Sequence, residues 1–298
     1  MSKEMNNYVI VEGIISEIGL EKAIWNNSDV IRGDIIVKVV APVVKNGPEV
    51  ESYVACRFFH KKLTNAGNEN PAYTSLAKVL ESGKSIAAVG EADADCISIR
   101  GARLQMNEYY TPDGRFVSFP VINGSFANII SRANMVPQAK ADVTVVVDKM
   151  IHETDKDGVE TGKLILTGVT LGYGGWADVL PFVTENPQYI AALEATYKHG
   201  DPINISAKLN FSSTTTVEYE EVEIGDPIER VRTKRVSEIV ISAVKSADNI
   251  MDTFTADDIR EGLEKRNARN EEKKNRAGKA STTERSKVNS QAKVNLGF

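Results

Sequence analysis

From Tyr8 to Val244 the chain is dominated by short runs in which apolar and polar residues alternate, broken by glycine, proline and asparagine. Period two is the mark of strands with one face buried. The sharpest example lies in Tyr53 to Phe59: Val54, Cys56 and Phe58 point one way, and Tyr53, Arg57 and Phe59 the other. Asn70-Pro71 then opens a helix, because Asn caps a first turn well and Pro at the first helical position gives up an N–H that has no partner there. Leu76, Val79 and Leu80 stripe that helix, Gly83 fits its C-terminal cap, and Ser85 to Ile99 reads as extended again.

A second copy of this order follows. Trp176 to Val183 alternates, Asn186-Pro187 opens a helix striped by Ile190, Leu193 and Tyr197, Gly200 ends it, and Ile203 to Phe211 is extended. Asn70-Pro71-Ala72-Tyr73 matches Asn186-Pro187-Gln188-Tyr189, and Gly83 and Ile86 match Gly200 and Ile203. An ordered set of matches predicts two units of one fold. In the first unit, Tyr8 to Ser16 is a strand bent at Gly13. Residues 17–32 are a long connection, and Asp34 to Val44 is a second strand. Residues 100–115 form a long hairpin loop. Arg115–Ile122 and Phe126–Ile130 make a fifth strand interrupted at Asn123-Gly124. The second unit has strands at Val143–Met150 and Lys163–Thr170, an acidic hairpin (Glu218, Glu220, Glu221, Glu223) and a last strand from Thr233 to Val244.

Three strands, a helix and two strands is the order of the five-stranded Greek-key barrel called the OB-fold. The expected class is therefore mainly β: two tandem five-stranded OB-fold barrels, each with a helix between strands three and four, with a two-layer α+β sandwich as the rival. The expected divisions are 1–131, a linker at 132–141, a second unit at 142–247, and a charged tail at 248–298. In that tail Thr255 to Asp258 resembles a capping box and opens a helix to about Arg276, with disorder beyond it.

Composition narrows the function classes. The 298 residues have room for two ordinary domains. No apolar run is long enough to cross a bilayer, and the opening MSKEMNN lacks a signal-peptide core, so a cytoplasmic location is expected, with no membrane partner. Two cysteines cannot frame a disulfide scaffold or a four-thiolate site. The net charge of −5 is uneven: from Lys265 onward ten Lys/Arg face three Glu, so the rest of the chain carries −12. His60, His152 and His199 lie on different elements, and neither a nucleophile elbow nor a phosphate loop is present. No cofactor and no enzymatic activity are expected. Glu91, Asp93 and Asp95 on one strand face would suit a metal-dependent nuclease, though a solvated face is the plainer reading.

Nucleic-acid binding fits better, because binders of single strands combine stacking rings with cations along the phosphates. In an OB-fold the face of strands two and three and the one–two and four–five loops make the groove. Tyr53, Arg57, Phe59, Lys61, Lys62 and Lys38 fall on that face, Trp25 in the first loop, and Arg103, Tyr109, Tyr110 and Arg115 at the second. The second unit offers Tyr173, Trp176, Phe182 and Lys208, but Asp178 shares their face; this set suits weaker binding or packing against another copy.

Several segments resemble single-stranded-DNA-binding proteins built on OB-folds. They are Tyr8 to Gly13, Leu80-Glu-Ser-Gly83-Lys-Ser-Ile86-Ala-Ala-Val-Gly90-Glu91, and Asp113-Gly-Arg-Phe116 leading to Phe126–Ile130. The tandem arrangement is most similar to a replication protein of a large phage. The resemblance implies single-stranded DNA as partner, and replication, recombination or repair as setting. The bacterial family ends in an acidic run and a terminal Phe that docks partner proteins. Here Lys293 to Phe298 keeps the Phe without the acids, and Asp248 to Ile259 is the alternative docking segment. A structural or adaptor protein is the competing class, supported by the acidic body.

Overall fold

A computed structural model describes residues 4–220, 228–247, 250 and 253–291. It is mainly β, with one eleven-stranded sheet and a separate two-stranded one. The first half contributes β1 (Asn7–Trp25), β2 (Ser28–Pro42), β3 (Glu49–Lys61), β4 (Cys96–Tyr110), β5 (Phe116–Asn123) and β6 (Phe126–Ile130). Helix α1 (Pro71–Ser82) and the single turn α2 (Ile86–Val89) lie between β3 and β4. The pairings run in a closed circuit: β1 with β2, β2 with β3, β3 parallel to β5, β5 with β4, and β4 back to β1.

The second half repeats the circuit. Its strands are β7 (Gln138–Thr154), β8 (Glu160–Leu171), β9 (Ala177–Thr184), β10 (Pro202–Asn210) and β13 (Glu238–Ser246), with α3 (Pro187–Thr196) before β10. β7 pairs with β8, β8 with β9, β9 is parallel to β13, and β13 pairs with β10, which returns to β7. β11 (Ser213–Glu220) and β12 (Ile228–Arg235) form the separate hairpin. The circuits join where Asn7–Glu12 of β1 runs antiparallel to Gln138–Val143 of β7. One apolar core spans both, from Val9, Ile35 and Phe58 to Leu166, Phe182 and Ile205.

Local chemistry accounts for the elements. Asn70 and Asn186 cap α1 and α3 by accepting amide hydrogens from Ala72 and from Gln188 and Tyr189. Val54, Cys56 and Phe58 are buried, as their alternation requires, while their odd-numbered neighbours face out. Gly13 sits where β1 crosses the β2 backbone; a Cβ there would fall 2.2 Å from the Lys38 carbonyl oxygen. Glu12, in the middle of an apolar strand, is only 3 % exposed. Its carboxylate accepts the Val136 amide hydrogen at 2.8 Å and the Ser98 hydroxyl at 3.2 Å, and Arg100 lies 3.5 Å away.

Several expectations are corrected. Residues 17–32 are no open connection: β1 and β2 run on as a two-stranded arm. Asn26 and Asn27 turn it with φ of 46° and 58°, both in the left-handed region that a tight hairpin needs. Residues 100–110 likewise continue β4, leaving only 111–115 as the turn. Ser85 to Asp95 is not strand but α2 and a turn; Ala87 and Ala88 favour helix, and Gly90 stops it at φ 83°. Glu91, Asp93 and Asp95 therefore share no strand face. Glu91 bonds Lys38, and Asp95 accepts the Lys84 amide hydrogen.

The linker is mostly structured: Arg132–Asn134 is a 3-10 turn, and Gln138–Ala141 already belong to β7. The Arg132 guanidinium donates to the carbonyls of Glu91, Ala92 and Ala94 at 2.9–3.3 Å. Gly83 does cap α1, but with φ of −69°; there the glycine spares a clash, since a Cβ would meet the Val79 carbonyl at 2.5 Å. Gly200 lies past the end of α3, whose cap is Tyr197. The last strand is split between β12 and β13. Glu221 and Glu223 lie outside the described residues, as do Lys293 to Phe298.

The tail differs most. Helix α4 (Ala256–Gln291) extends well beyond Arg276, through part of the stretch expected to be disordered. Its start is the anticipated box: Thr255 Oγ accepts from the Asp258 amide at 3.2 Å, and the Asp258 carboxylate accepts from Thr255. Ile259 and Leu263 then pack on a small second core of Met5, Val146, Val169, Leu171, Ala177 and Phe254. Gly262 is the contact point, because a Cβ there would sit 2.5 Å from Leu171 Cδ2 and 3.2 Å from the Gly175 carbonyl. One turn on, Arg266 forms an ion pair with Glu108 of β4, to which Asn270 Nδ2 also donates at 2.8 Å. Lys273 donates to the Glu108 carbonyl. Among the described residues no helix is long and apolar enough to cross a membrane.

Gly262→Leu is expected to undock α4 without unwinding it, since leucine favours helix over glycine by roughly 1 kcal/mol. Limited proteolysis should then release the tail while far-UV helix content is kept. Glu108→Ala leaves the Arg266 guanidinium half-buried and unpaired, a loss of about 1.5–3 kcal/mol that denaturant titration would measure.

Candidate nucleic-acid interface

β2 and β3 present one outer face whose residues are fixed by register. Directly paired across it are Lys38 with Tyr53, Asp34 with Arg57, and Arg32 with Phe59. The row through Arg57 continues to Asn123 of β5 and Arg103 of β4. The rings on this side are not core: Tyr53 is 42 %, Phe59 45 % and Trp25 43 % exposed. Trp25, at the end of the β1–β2 arm, meets Phe59 edge-on with centroids 5.2 Å apart, and Lys61 Nζ stands 5.7 Å over the indole. The arm is braced by Lys22–Glu81 and Arg32–Glu21 pairs, both at 2.7 Å. Sequence reasoning put Trp25 near this face for the wrong reason, as part of a loop rather than the last residue of a strand.

Tyr109 and Tyr110 are strand residues, not loop residues. Tyr109 is 40 % exposed and edge-on to Phe119 at 6.3 Å; Tyr110 is half-buried and lies 5.2 Å from Phe116. Phe116 and Phe119, both exposed, were missed: β5 (FVSFPVIN) has no period-two alternation, so no local signal marks them. Arg115 is exposed in the turn beside them.

Most of the nominated cations already have anionic partners. Lys38 Nζ lies 2.9 Å from both Glu51 and Glu91, and these bonds hold the ammonium well above the ordinary lysine range. The same Lys38 contact, with a hydrogen bond from the Tyr53 hydroxyl, holds the Glu51 carboxyl low, and Glu51 in turn raises the Tyr53 phenol. Arg103 makes a two-pronged pair with Glu4 at 2.7 Å. Arg57 lies 3.5 Å from Asp34, and Lys62 3.7 Å from Asp29. Apart from Lys38, these cations are a third or more exposed. Lys208 stands apart: its ammonium donates to the Pro42 carbonyl at 2.6 Å, and burial, with Lys140 nearby, pushes its pKa down.

In the second half Tyr173 is 78 % and Trp176 45 % exposed, but Phe182 is fully buried and is removed from the stacking set. Trp176 is held by the short turn before it. The Gly172 amide donates to the Trp176 carbonyl at 2.8 Å, and Gly174, at φ 78°, lets the backbone pass against the indole. Trp176 and Tyr173 line a cleft of about 410 Å³ that also takes in Arg57, Arg103, Asn123 and Arg269, and so lies between the two circuits and α4. Asp178 closes one side. It accepts the Met106 amide hydrogen at 3.1 Å, and burial raises its pKa. Among the described residues no group of three His, Cys, Asp or Glu is placed to hold a metal ion.

A family model named YorF matches residues 6–276. The chain belongs to the YorF family. No curated protein matches it by sequence. Among solved structures, this YorF-family chain is similar to the wild-type single-stranded DNA binding protein from Thermus aquaticus. Identity is 10 %, the TM-score is 0.51, and the match covers 82 % of this chain and 94 % of that one. A deletion mutant of the same Thermus aquaticus protein matches at 10 % identity and a TM-score of 0.49, over 82 % and 95 %. At such identity the likeness to the wild-type protein is one of fold.

The ring cluster has its own optical signature. Phe59→Ala removes the edge-on partner of Trp25, worth about 0.5–1.5 kcal/mol. In a Trp176→Phe background, Trp25 emission is expected to shift to longer wavelength while the melting curve moves little.

Proposed function

We propose that this YorF-family protein binds single-stranded DNA without chemically altering it. The two pairing circuits are taken as two OB-fold units, residues 1–131 and 142–247, with the β2–β3 face of the first as the main platform. The observation that carries this reading is the solvent exposure of Trp25, Tyr53 and Phe59 together at that face, with Tyr109 also exposed on β4. Large rings kept out of the core beside cations are what base stacking and phosphate neutralisation require. The fold likeness to a protein named for single-stranded DNA binding points the same way. Trp25, Tyr53, Phe59, Tyr109 and Tyr110 stack on bases; Arg57, Lys61, Lys62, Arg103 and Arg115 follow the phosphates. Protection of single strands in replication, recombination or repair, in a cytoplasm, is the corresponding role, with partner proteins met through the chain's C-terminal end.

The carboxylate partners shape this binding rather than forbid it. Exposed ion pairs contribute only about 0–1 kcal/mol, so a phosphate can take the place of Asp34 beside Arg57 or Asp29 beside Lys62. Lys38 is different: it is 12 % exposed and bonded to two glutamates, so it is withdrawn from the phosphate set. The same pairing favours a second reading, in which the barrels are scaffolding for a structural or adaptor protein. Titration of labelled oligo-dT separates the two. Single-strand binding predicts affinity that falls with salt and a Trp25→Ala/Phe59→Ala double variant weaker by at least about 30-fold, from two stacks of about 1–3 kcal/mol each. Lys38→Ala should change affinity little. A wild-type protein that ignores oligo-dT at low salt sinks the reading in favour of the adaptor.

A further inference from the structure

We infer that the cleft between the two circuits is a nucleotide subsite completed by helix α4, so that the C-terminal helix is part of the nucleic-acid site. The inference rests on the single-strand reading and extends its path from the β2–β3 face to Trp176.

The geometry has three parts. First, the cleft volume of about 410 Å³ is of the order a small-molecule site needs, a few hundred Å³. Second, the backbone that carries Trp176 is set by a tight turn: the Gly172 amide donates to the Trp176 carbonyl, and Gly174 and Gly175 are left-handed, which presents a half-exposed indole to the cleft. A preset backbone lowers the entropy cost of ordering the ring on binding. Third, the cleft gathers three guanidinium groups from three elements: Arg57 of β3, Arg103 of β4 and Arg269 of α4.

Arg269 distinguishes this site from the outer face. Arg57 and Arg103 are paired with Asp34 and Glu4. Among the described residues Arg269 makes no close ion pair; its charge is felt by Asp178 across the cleft and by Lys273 on its own helix. It stays beside the cleft because α4 is seated by Gly262 and the Arg266–Glu108 pair before it and by the Lys273 bond to the Glu108 carbonyl after it. An exposed guanidinium held by its helix at the edge of a ring-lined cleft suits a phosphate, with the base on Trp176. Asp178 is the one carboxylate in the lining. It is turned to the Met106 amide, which places the anionic part of a nucleotide on the arginine side.

The test uses the full chain in a Trp25→Phe background, where Trp176 is the sole indole. Saturating oligo-dT should quench Trp176. Arg269→Ala should weaken binding about fivefold and flatten the salt dependence by about 0.7 in log–log slope, the share of one phosphate contact on a single strand. Arg260→Ala removes the same charge from the same helix, but away from the cleft, and should leave both unchanged. The inference is overturned if oligo-dT binds through Phe59 yet Trp176 emission stays constant. It is also overturned if Arg260→Ala and Arg269→Ala behave alike. Failure of every variant and of wild type to bind overturns the single-strand reading and this subsite with it.

Discussion

Everything that faces solvent as a candidate site takes its place from the short splice between β1 and β7, where six residues of one strand lie against six of the other. A strand edge left open is a row of unmade hydrogen bonds. Here the early part of β1 uses both edges: β4 takes one and β7 the other, while β2 joins further on. The splice makes one sheet of two circuits and lets one apolar core run through both. It also brings β4 beside β9, so that the Met106 amide reaches Asp178 and Glu108 meets the tail helix. Glu12 guards it: a buried carboxylate in mid-strand is costly unless its acceptors are filled, and Val136, Ser98 and Arg100 fill them, pinning the crossing chain down.

The charge pattern follows from an acidic body that carries a cationic surface. Arg57, Lys62 and Arg103 each found a carboxylate partner within the chain. Such pairs keep the free surface from presenting one strong positive field, which lowers indiscriminate attraction to polyanions. On the single-strand reading proposed above, a phosphate must displace a carboxylate, so discrimination shifts from charge to the rings, in favour of strands whose bases are already unstacked. The contrast with Lys38 is one of degree of burial: held by two glutamates and mostly covered, it works as a cross-link between β2, β3 and the turn after α2.

Strand identity was legible wherever one face was buried. Val54, Cys56 and Phe58 fixed the sense of β3, and with it the outward placing of Tyr53, Arg57 and Phe59. The repeat at Asn70-Pro71 and Asn186-Pro187 located both helices, whose caps have the anticipated bonds. What was lost is strand that leaves the core. Beyond Leu20 the β1 side of the arm has no buried residue, and on the β2 side the buried Val30 and Ile31 are adjacent rather than alternating, so the sequence carries no period-two pattern there and only the Asn26-Asn27 pair betrays the turn. Similarly, Arg103 to Tyr110 mixes half-buried residues on both sides and reads as loop. Ion pairs such as Glu4–Arg103 join residues far apart in sequence, and no local pattern announces them.

Helix α4 shows why the tail was misjudged. A helix that docks through an apolar stripe advertises itself by periodicity; this one has Ile259 and Leu263 and then little else. It is seated instead by an absence and a charge: Gly262 lets its backbone approach the turn at Gly175, and Arg266, Asn270 and Lys273 converge on Glu108. Spaced at three and four residues, those polar side chains form a face as definite as a leucine stripe, but they look like solvated surface until their partner is known. A basic run therefore need not be a loose arm. Its own charges can seat it, and those left over, Arg269 among them, are then delivered to a fixed place at the boundary of the two halves.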